Sequence, residues 1–425
     1  MQVALPLQKL ARVLVTVMFL VGSIATVWQV HNKAYDDLPT FYWATHLAFN
    51  DGISAYQPPH FKQLGQSLNR KIYPFLYPPP SVVIFSPFLL GSYEHTKVVF
   101  TLCNLILWWL LTWSMYRLYC FYRGIKKHFL ASVLVPLWSL CFMPIADTFR
   151  TGQVNLFVLA CVMPLFFQSS RHRWQILSGA LLAIAIMLKV YLVLGLLVLI
   201  MMGQKKILAS TLAVLVLLCA ASLFLLPWHM WVDWLALSGN GAAYGKQVPN
   251  MMTIPWNQSI NGFFIRQFLD ERILSGATYW HWPIYICSAA LLAVTFYTLS
   301  KGLMDHIHGV SMAITLVFLT AIMVAPLAWL HHYVFAMPAV ICCFALISEL
   351  KTSQYKKIIA IAVLVAVMVM SFPSSVTMIF PTLAAWEIVY RTIPLNANLV
   401  VSAQLVGGIV FSGLFSVLIL HRENL

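Results

Sequence analysis

Apolar runs of about 17–25 residues recur along the whole of this chain, separated by charged blocks and Pro/Gly breaks. Each run is long enough, as a helix, to cross the ~30 Å hydrocarbon layer of a bilayer. Backbone inside that layer must satisfy its own hydrogen bonds, which leaves helices and closed barrels. Barrel strands alternate apolar and polar residues over ~10 positions, and these runs do not. The runs fall at 11–30, 96–119, 128–146, 153–168, 174–189, 190–203, 207–226, 281–300, 310–328, 333–349, 358–377 and 398–420. The expected fold is therefore all-α and polytopic, with about 12 transmembrane helices in a single integral-membrane domain over residues 1–425. Composition agrees: 61% of the 425 residues are apolar and 9% charged, too few charges for a water-facing surface.

The net charge of +14 raises nucleic acid as a partner, and its distribution removes it. With the N-terminus inside, the inner segments carry fifteen cations, among them Arg123, Lys126, Lys127, Lys205 and Lys206, against Asp305, Glu349 and Glu423, a net of +12. The outer segments carry the other eleven cations and nine acids, a net of +2. That asymmetry is the positive-inside signature, with both termini cytoplasmic. The first run, flanked by Lys9 and Arg12, is too long for a signal-peptide core and reads as an uncleaved anchor. The eight cysteines lie in or beside the runs, without C-x-x-C spacing, and read as buried inert thiols.

Two outer loops are large, 31–95 and 227–280. In the first, Phe41–Asn50 reads as a short amphipathic helix stopped by Asp51–Gly52. Ser81–Leu90, after Tyr77–Pro78–Pro79–Pro80, is too short to span and is expected as an interfacial or re-entrant helix under the outer leaflet.

The polar residues of this apolar chain gather on that outer face. Asp36 and Asp37 follow the first run. They read either as solvating acids or as a base, since a carboxylate held against apolar surface becomes a stronger base. Arg150, Gln153 and Asn155 open the fourth run, as an N-cap region or as hydrogen-bonding groups for sugar or phosphate. Lys189 stands between the fifth and sixth runs. A lysine among apolar residues costs about 2.5–3.5 kcal/mol on insertion scales, so it either snorkels to the headgroups or meets an anionic lipid phosphate. Asn257, Gln258 and Arg266 lie in the second loop, and His331–His332 precede the tenth run. On an α-helix those two histidines point about 100° apart, which turns one of them to the site. No metal-binding spacing of histidines and cysteines occurs, and no metal or cofactor is expected.

These residues resemble, in order over about 30–340, the family 87 glycosyltransferases of the GT-C class: Asp37-Leu-Pro-Thr-Phe-Tyr-Trp-Ala44 with Gly52 and Tyr56, Tyr77-Pro-Pro-Pro80, Gly152-Gln-Val-Asn155, Leu188–Lys189, Asn257-Gln-Ser259 with Arg266, and His331–His332. The resemblance implies a polyprenyl-monophosphate sugar donor, a lipid or glycan acceptor, and a metal-independent inverting transfer at the outer face of a bacterial plasma membrane. It implies Asp37 as general base with Asp36 a secondary acid. Lys189, Arg150 and Arg266 are the cations for the departing phosphate. Gln153, Asn155, Asn257 and Gln258 join them in binding the donor, and His331 and His332 have catalytic roles. Ala328–Trp329–Leu330 stands where the family carries Ser-Trp-Asp, so no acid flanks His331 in sequence. Two other readings compete. A secondary transporter would hold its polar groups near the midplane of paired halves. A flippase or ligase of lipid-linked glycans would share the phosphate site.

Overall fold

The computed structural model describes residues 5–31, 35–68, 72–167, 171–239, 254–268, 282–304, 306, 308–350, 353–372 and 395–421. Every regular element among them is helical. The helices are α1 (Leu5–His31), α2 (Leu38–Asn50), α3 (Pro58–Ser67), α4 (Pro79–Phe85), α5 (Tyr93–Tyr122), α6 (Phe129–Cys141), α7 (Met143–Thr151), α8 (Asn155–Phe166), α9 (His172–Leu188), α10 (Leu194–Met201), α11 (Lys205–Leu225), α12 (His229–Gly239), α13 (Ile260–Gln267), α14 (Trp282–Gly302), α15 (Gly309–Val324), α16 (Met337–Glu349), α17 (Ser353–Ser371), α18 (Leu395–Val401) and α19 (Ala403–His421). Short 3-10 turns occupy Ser86–Leu90, Val190–Val193 and Leu330–Ala336. Of the expected second outer loop, 240–253 and 269–280 lie outside the described residues. So do 373–377 of the expected eleventh span, and Asp305 and Glu423.

Hydropathy explains which helices face outward. α1, α11 and α14 turn Val17, Val216 and Ile286 outward at half their area or more, as a lipid-facing surface requires. α15 and α16 are buried on all sides, with Ala313, Leu316, Cys342 and Cys343 inaccessible. One apolar core runs from Phe19 to Ile419.

The chain is a polytopic helical membrane protein, and the described helices do not by themselves establish all twelve expected spans. Six described helices are long and apolar enough to cross a membrane, or seven if α6 and α7, bent by 44° at Phe142, count as one. Asn155–Phe166, His172–Leu188, Val190–Met201 and Gly309–Val324 are shorter apolar helices. At ~1.5 Å per residue they fall short of ~30 Å. Their breaks carry polar side chains, and buried irregular backbone of that kind is tolerated only where protein or a water cavity covers it.

Three local expectations change in detail. The third run does not stop at 146, because α7 carries it to Thr151. α2 begins at Leu38 rather than Phe41, and it is not amphipathic, since Leu38, Phe41, Tyr42, Ala44, Thr45, Leu47 and Ala48 are all buried. Of the eight free thiols, Cys120, Cys161, Cys342 and Cys343 are buried, whereas Cys103 and Cys141 are exposed. The 79–90 segment is a short apolar helix, as expected, and packs Val82 and Phe85 into the core beside α2.

Residues assigned to one side by charge meet one another in space. Arg123 pairs with Glu349 at 3.3 Å on the expected inner side. On the expected outer side, Arg150 pairs with Asp36 at 2.9 Å and Gln57 donates to Asp233 at 3.3 Å. We therefore predict that single cysteines at Asn50 are labelled from outside and those at Lys126 and Lys205 from inside, with Cys103 and Cys141 replaced. Outside labelling at 126 would invert the orientation.

Candidate active site

A glycine docks the first outer loop onto the helical core. Gly152, after α7, has φ +71°, a left-handed conformation natural to glycine. A Cβ there would stand 2.8 Å from the Leu38 Cβ and 3.0 Å from the Tyr35 ring. The segment entering α2 therefore lies directly on Gly152, and the Asp37 amide donates to the Thr151 carbonyl at 2.8 Å. Asp37 occupies the N-cap of α2 but its side chain caps nothing there. It turns instead to Gln153, whose Nε2 donates to Asp37 Oδ2 at 2.7 Å. Asp37 keeps part of its surface open, yet burial is the main influence on its carboxyl and raises it above its ordinary pKa. His331, the Gln153 amide and Lys189 pull the other way without reversing the shift.

Behind Gln153 stands Lys189. α9 ends at Leu188, and Lys189 takes extended dihedrals of −143° and 88° before the 3-10 turn. That break turns the side chain inward, to 5% exposure. Its ammonium donates to Tyr77 Oη at 3.0 Å, Gln153 Oε1 at 3.3 Å and His332 Nε2 at 3.1 Å. It also stands 5.1 Å from the Tyr77 ring centroid. These three hydrogen-bonding partners are neutral, and the opposing charge that acts on the lysine is the Asp37 carboxylate, linked to it through Gln153. With Nε2 accepting, the His332 hydrogen sits on Nδ1.

The histidines lie in the 3-10 turn Leu330–Ala336, and both are buried. Their rings are 4.9 Å apart, and both side chains bond to members of the cluster, His331 to Asp147 and His332 to Lys189. A 3-10 turn with cluster groups on two sides serves both rings. His331 Nδ1 donates to Asp147 Oδ2 at 3.0 Å, and the Asn155 amide donates to the His331 carbonyl at 3.0 Å. Asp147 Oδ1 accepts from Arg150 Nε at 2.8 Å, and Arg150 Nη1 donates to Asp36 Oδ2 at 2.9 Å. An acid thus does orient His331, although none flanks it in sequence. Asp147 comes from the middle of α7, one residue beyond where the third run was expected to stop.

Eight of the eleven expected residues therefore share one connected site: Asp36, Asp37, Arg150, Gln153, Asn155, Lys189, His331 and His332. Arg150 stands there as the partner of two carboxylates rather than as an unpaired cation. Asn257, Gln258 and Arg266 lie elsewhere. Arg266 is fully buried and donates to Asn398 Oδ1, the Ile254 and Asn257 carbonyls and Ser402 Oγ at 2.7–3.1 Å. Asn257 and Gln258 clamp the chain ahead of the histidine turn: Asn257 Oδ1 accepts from the Ala328 amide, and Gln258 Nε2 donates to the Val401 carbonyl at 2.7 Å. Their part is to hold the segment that leads into His331.

Sequence reasoning missed Asp147, Tyr77 and Tyr191 as site residues. Asp147 had one signal, an acid three residues before Arg150 on the end of an apolar helix. Four buried polar atoms here have no hydrogen-bond partner among the described residues: His331 Nε2, His332 Nδ1, Asn155 Oδ1 and Tyr191 Oη. Tyr191 lies with its ring 5.5 Å from that of His332. Unmet buried groups cost about 1–3 kcal/mol each, and their convergence marks where a polar ligand fits.

A helical membrane protein that gathers a buried lysine, a shielded carboxylate and two histidines has the make-up of a membrane-embedded enzyme site. The chain belongs to glycosyltransferase family 87, whose model matches residues 75–326. That stretch contains Tyr77, Asp147, Gln153 and Lys189, and the fold brings Asp37 and His331 to it from outside. The chain is 26% identical over 283 residues to the polyprenol-phosphate-mannose-dependent alpha-(1-2)-phosphatidylinositol mannoside mannosyltransferase of Mycobacterium tuberculosis. It is 25% identical to the protein of the same name from Mycolicibacterium smegmatis. Each match covers 63% of this chain and 61% of the relative.

The contacts of Arg266 separate its two readings. Arg266→Met strands two carbonyls and two side-chain oxygens, so it should destabilise by roughly 2–4 kcal/mol in thermal unfolding, with the donor KM of the folded fraction unchanged. An intact melting temperature with a raised donor KM would return Arg266 to the phosphate.

Proposed function

We propose that this protein transfers a sugar from a polyprenyl-monophosphate donor to a glycolipid or cell-envelope glycan acceptor at the outer face of a bacterial plasma membrane, with inversion. Residues 1–425 then act as one integral-membrane domain with both termini cytoplasmic. The observation that carries this reading is Lys189, a buried lysine bonded to three neutral groups, in a cluster whose histidines, Asn155 and Tyr191 keep four polar atoms unmet among the described residues. A phosphate supplies the missing charge and acceptors in one group. The two relatives' names support mannose as the sugar and a phosphatidylinositol-type glycolipid as the acceptor.

In the proposed reaction the acceptor hydroxyl oxygen bonds to the anomeric carbon as the bond from that carbon to the phosphate oxygen breaks. The electron pair leaves with polyprenyl phosphate, and the hydroxyl proton passes to Asp37. Lys189 stabilises the charge gathering on the phosphate. His331, held through Nδ1 by Asp147, offers its bare Nε2 to the same region. Direct support for the reading is release of polyprenyl phosphate with the sugar on a new acceptor. Movement of the intact donor across the bilayer without cleavage would favour a transporter or flippase.

Asp37→Asn keeps shape and loses the proton acceptor, so turnover should fall about 10²–10⁴-fold with donor binding retained, while Asp36→Asn does far less. The base works ionised. Because the folded protein raises the Asp37 carboxyl, kcat/KM should fall as pH drops through a value above the ordinary carboxylate range, and Asp37→Asn should abolish that limb. Near-normal turnover in Asp37→Asn, with His331→Ala or His332→Ala inactive, transfers the role to a histidine.

Lys189→Met should raise the donor KM by about 30-fold or more, the scale for removing one partner of a desolvated charge pair. An unchanged donor KM in folded Lys189→Met would leave the lysine without a phosphate.

A further inference from the structure

The connected site has two ends of unlike character. One, at Lys189 and His332, is buried to 5% exposure. The other runs outward through Asp36 and Arg150, whose side chains are 42% and 45% exposed, to Trp256. The Arg150 guanidinium carbon lies 5.9 Å from the Trp256 ring centroid. Trp256 itself is 54% exposed.

This tryptophan is held firmly for so open a residue. Asn257, Gln258 and Ser259, directly after it, are inaccessible and bonded to Pro326, Ala328 and Val401. Arg150 beside the ring is fixed by two carboxylates, Asp36 and Asp147. An exposed tryptophan on a membrane protein is often an interfacial anchor. Anchoring asks only for depth in the bilayer, not for a fixed backbone or a pinned ionic neighbour.

Sugar rings match what is gathered here. Their C–H faces are weakly positive and suit the negative face of an indole. Their rim hydroxyls both donate and accept, which suits a half-exposed carboxylate beside a half-exposed guanidinium. Position adds a reason for the acceptor. Inverting displacement brings the acceptor oxygen in opposite the leaving phosphate. With phosphate at the Lys189 end and Asp37 between, the acceptor enters from the Trp256 end.

We infer that Trp256, with the Asp36–Arg150 pair beside it, is the platform on which the sugar ring of the acceptor rests. This rests on the transfer reaction above and extends it to the acceptor subsite, taking a glycoside with an apolar tail.

The test uses the full-length protein in nanodiscs, with octyl α-mannoside below its micelle concentration as acceptor probe. Two quantities are read: the acceptor and donor KM values with polyprenyl-phosphate-mannose, and saturation transfer to the sugar protons of the probe without donor. Trp256→Ala should raise the acceptor KM and weaken probe binding roughly tenfold, the scale of one aromatic contact. The donor KM should stay unchanged. Trp256→Phe should keep most of the binding. Trp228→Ala, which removes another exposed tryptophan, should change neither. Unchanged acceptor KM and probe binding in Trp256→Ala, an equal loss in Trp228→Ala, or no probe binding to the wild type would each overturn the platform. Probe binding lost in Trp256→Ala, with no sugar transfer by the wild type, would keep the platform and reject the reaction.

Discussion

An ammonium group enclosed by apolar helices needs acceptors on every side that water has left, and the outer half of this protein is arranged around that need at Lys189. Its three partners come from three separated stretches: Tyr77 from the first outer loop, Gln153 from the turn before α8, and His332 from the 3-10 turn before α16. Each is itself held. Tyr56 Oη donates to the Tyr77 carbonyl at 2.6 Å, Gln153 reaches Asp37 at 2.7 Å, and Asn155 fixes the histidine turn. None of the three cancels the charge. Apolar replacements would have been more stable in a merely structural core, since desolvating an ion is costly and neutral acceptors offset only part of that. A charge kept under those terms fits a ligand that supplies the opposite sign.

Three departures from regular helix bring those stretches together. Gly152 reverses the chain where no other residue fits against Leu38 and Tyr35. Lys189 takes an extended conformation that separates α9 from the turn leading to α10. Leu330–Ala336 winds as 3-10 and carries two adjacent histidines into one cluster. Continuous helices would have sent these side chains along their axes at 1.5 Å per residue. The breaks around α8, α9 and α10 lie where the site lies, and these helices are shorter than the long apolar spans.

Hydrophobic periodicity and charge made the class of fold legible, because a bilayer imposes length and sidedness on each segment independently of its neighbours. The polar clustering was legible for a similar reason: a charged or amide group in an apolar chain is expensive wherever it falls. Partnership was not legible. Arg266 and Lys189 look alike in sequence, each a lone cation near an apolar helix. Arg266 is satisfied by the Asn398 side chain on α18, the Ser402 hydroxyl after it and the Ile254 and Asn257 carbonyls, while Lys189 bonds three neutral groups and meets its opposing charge only through Gln153. Asp147 escaped notice because its partner, His331, is 184 positions away. Only three-dimensional contact distinguishes an acid that ends a helix from one that steers an imidazole.

The adjacent acids Asp36 and Asp37 illustrate how environment, rather than residue type, divides roles. Asp36 is half exposed and bonded to the Arg150 guanidinium, so its charge is already answered. Asp37, one position on, is bonded to a neutral amide rather than to a cation, and burial outweighs the pull of His331 and Lys189, so its carboxyl is raised. A base needs a lone pair that is neither locked by a cation nor fully hydrated. Asp37 meets that condition and Asp36 does not. Arg150 contributes to the difference without touching Asp37: by bonding Asp36 it holds that carboxylate away from Lys189, and by bonding Asp147 it orients His331. One arginine between two acids offsets one of the two negative charges at the exposed end of the site. The cation of the site lies at its buried end, at Lys189, so on the proposed reaction an anionic phosphate is drawn to that end.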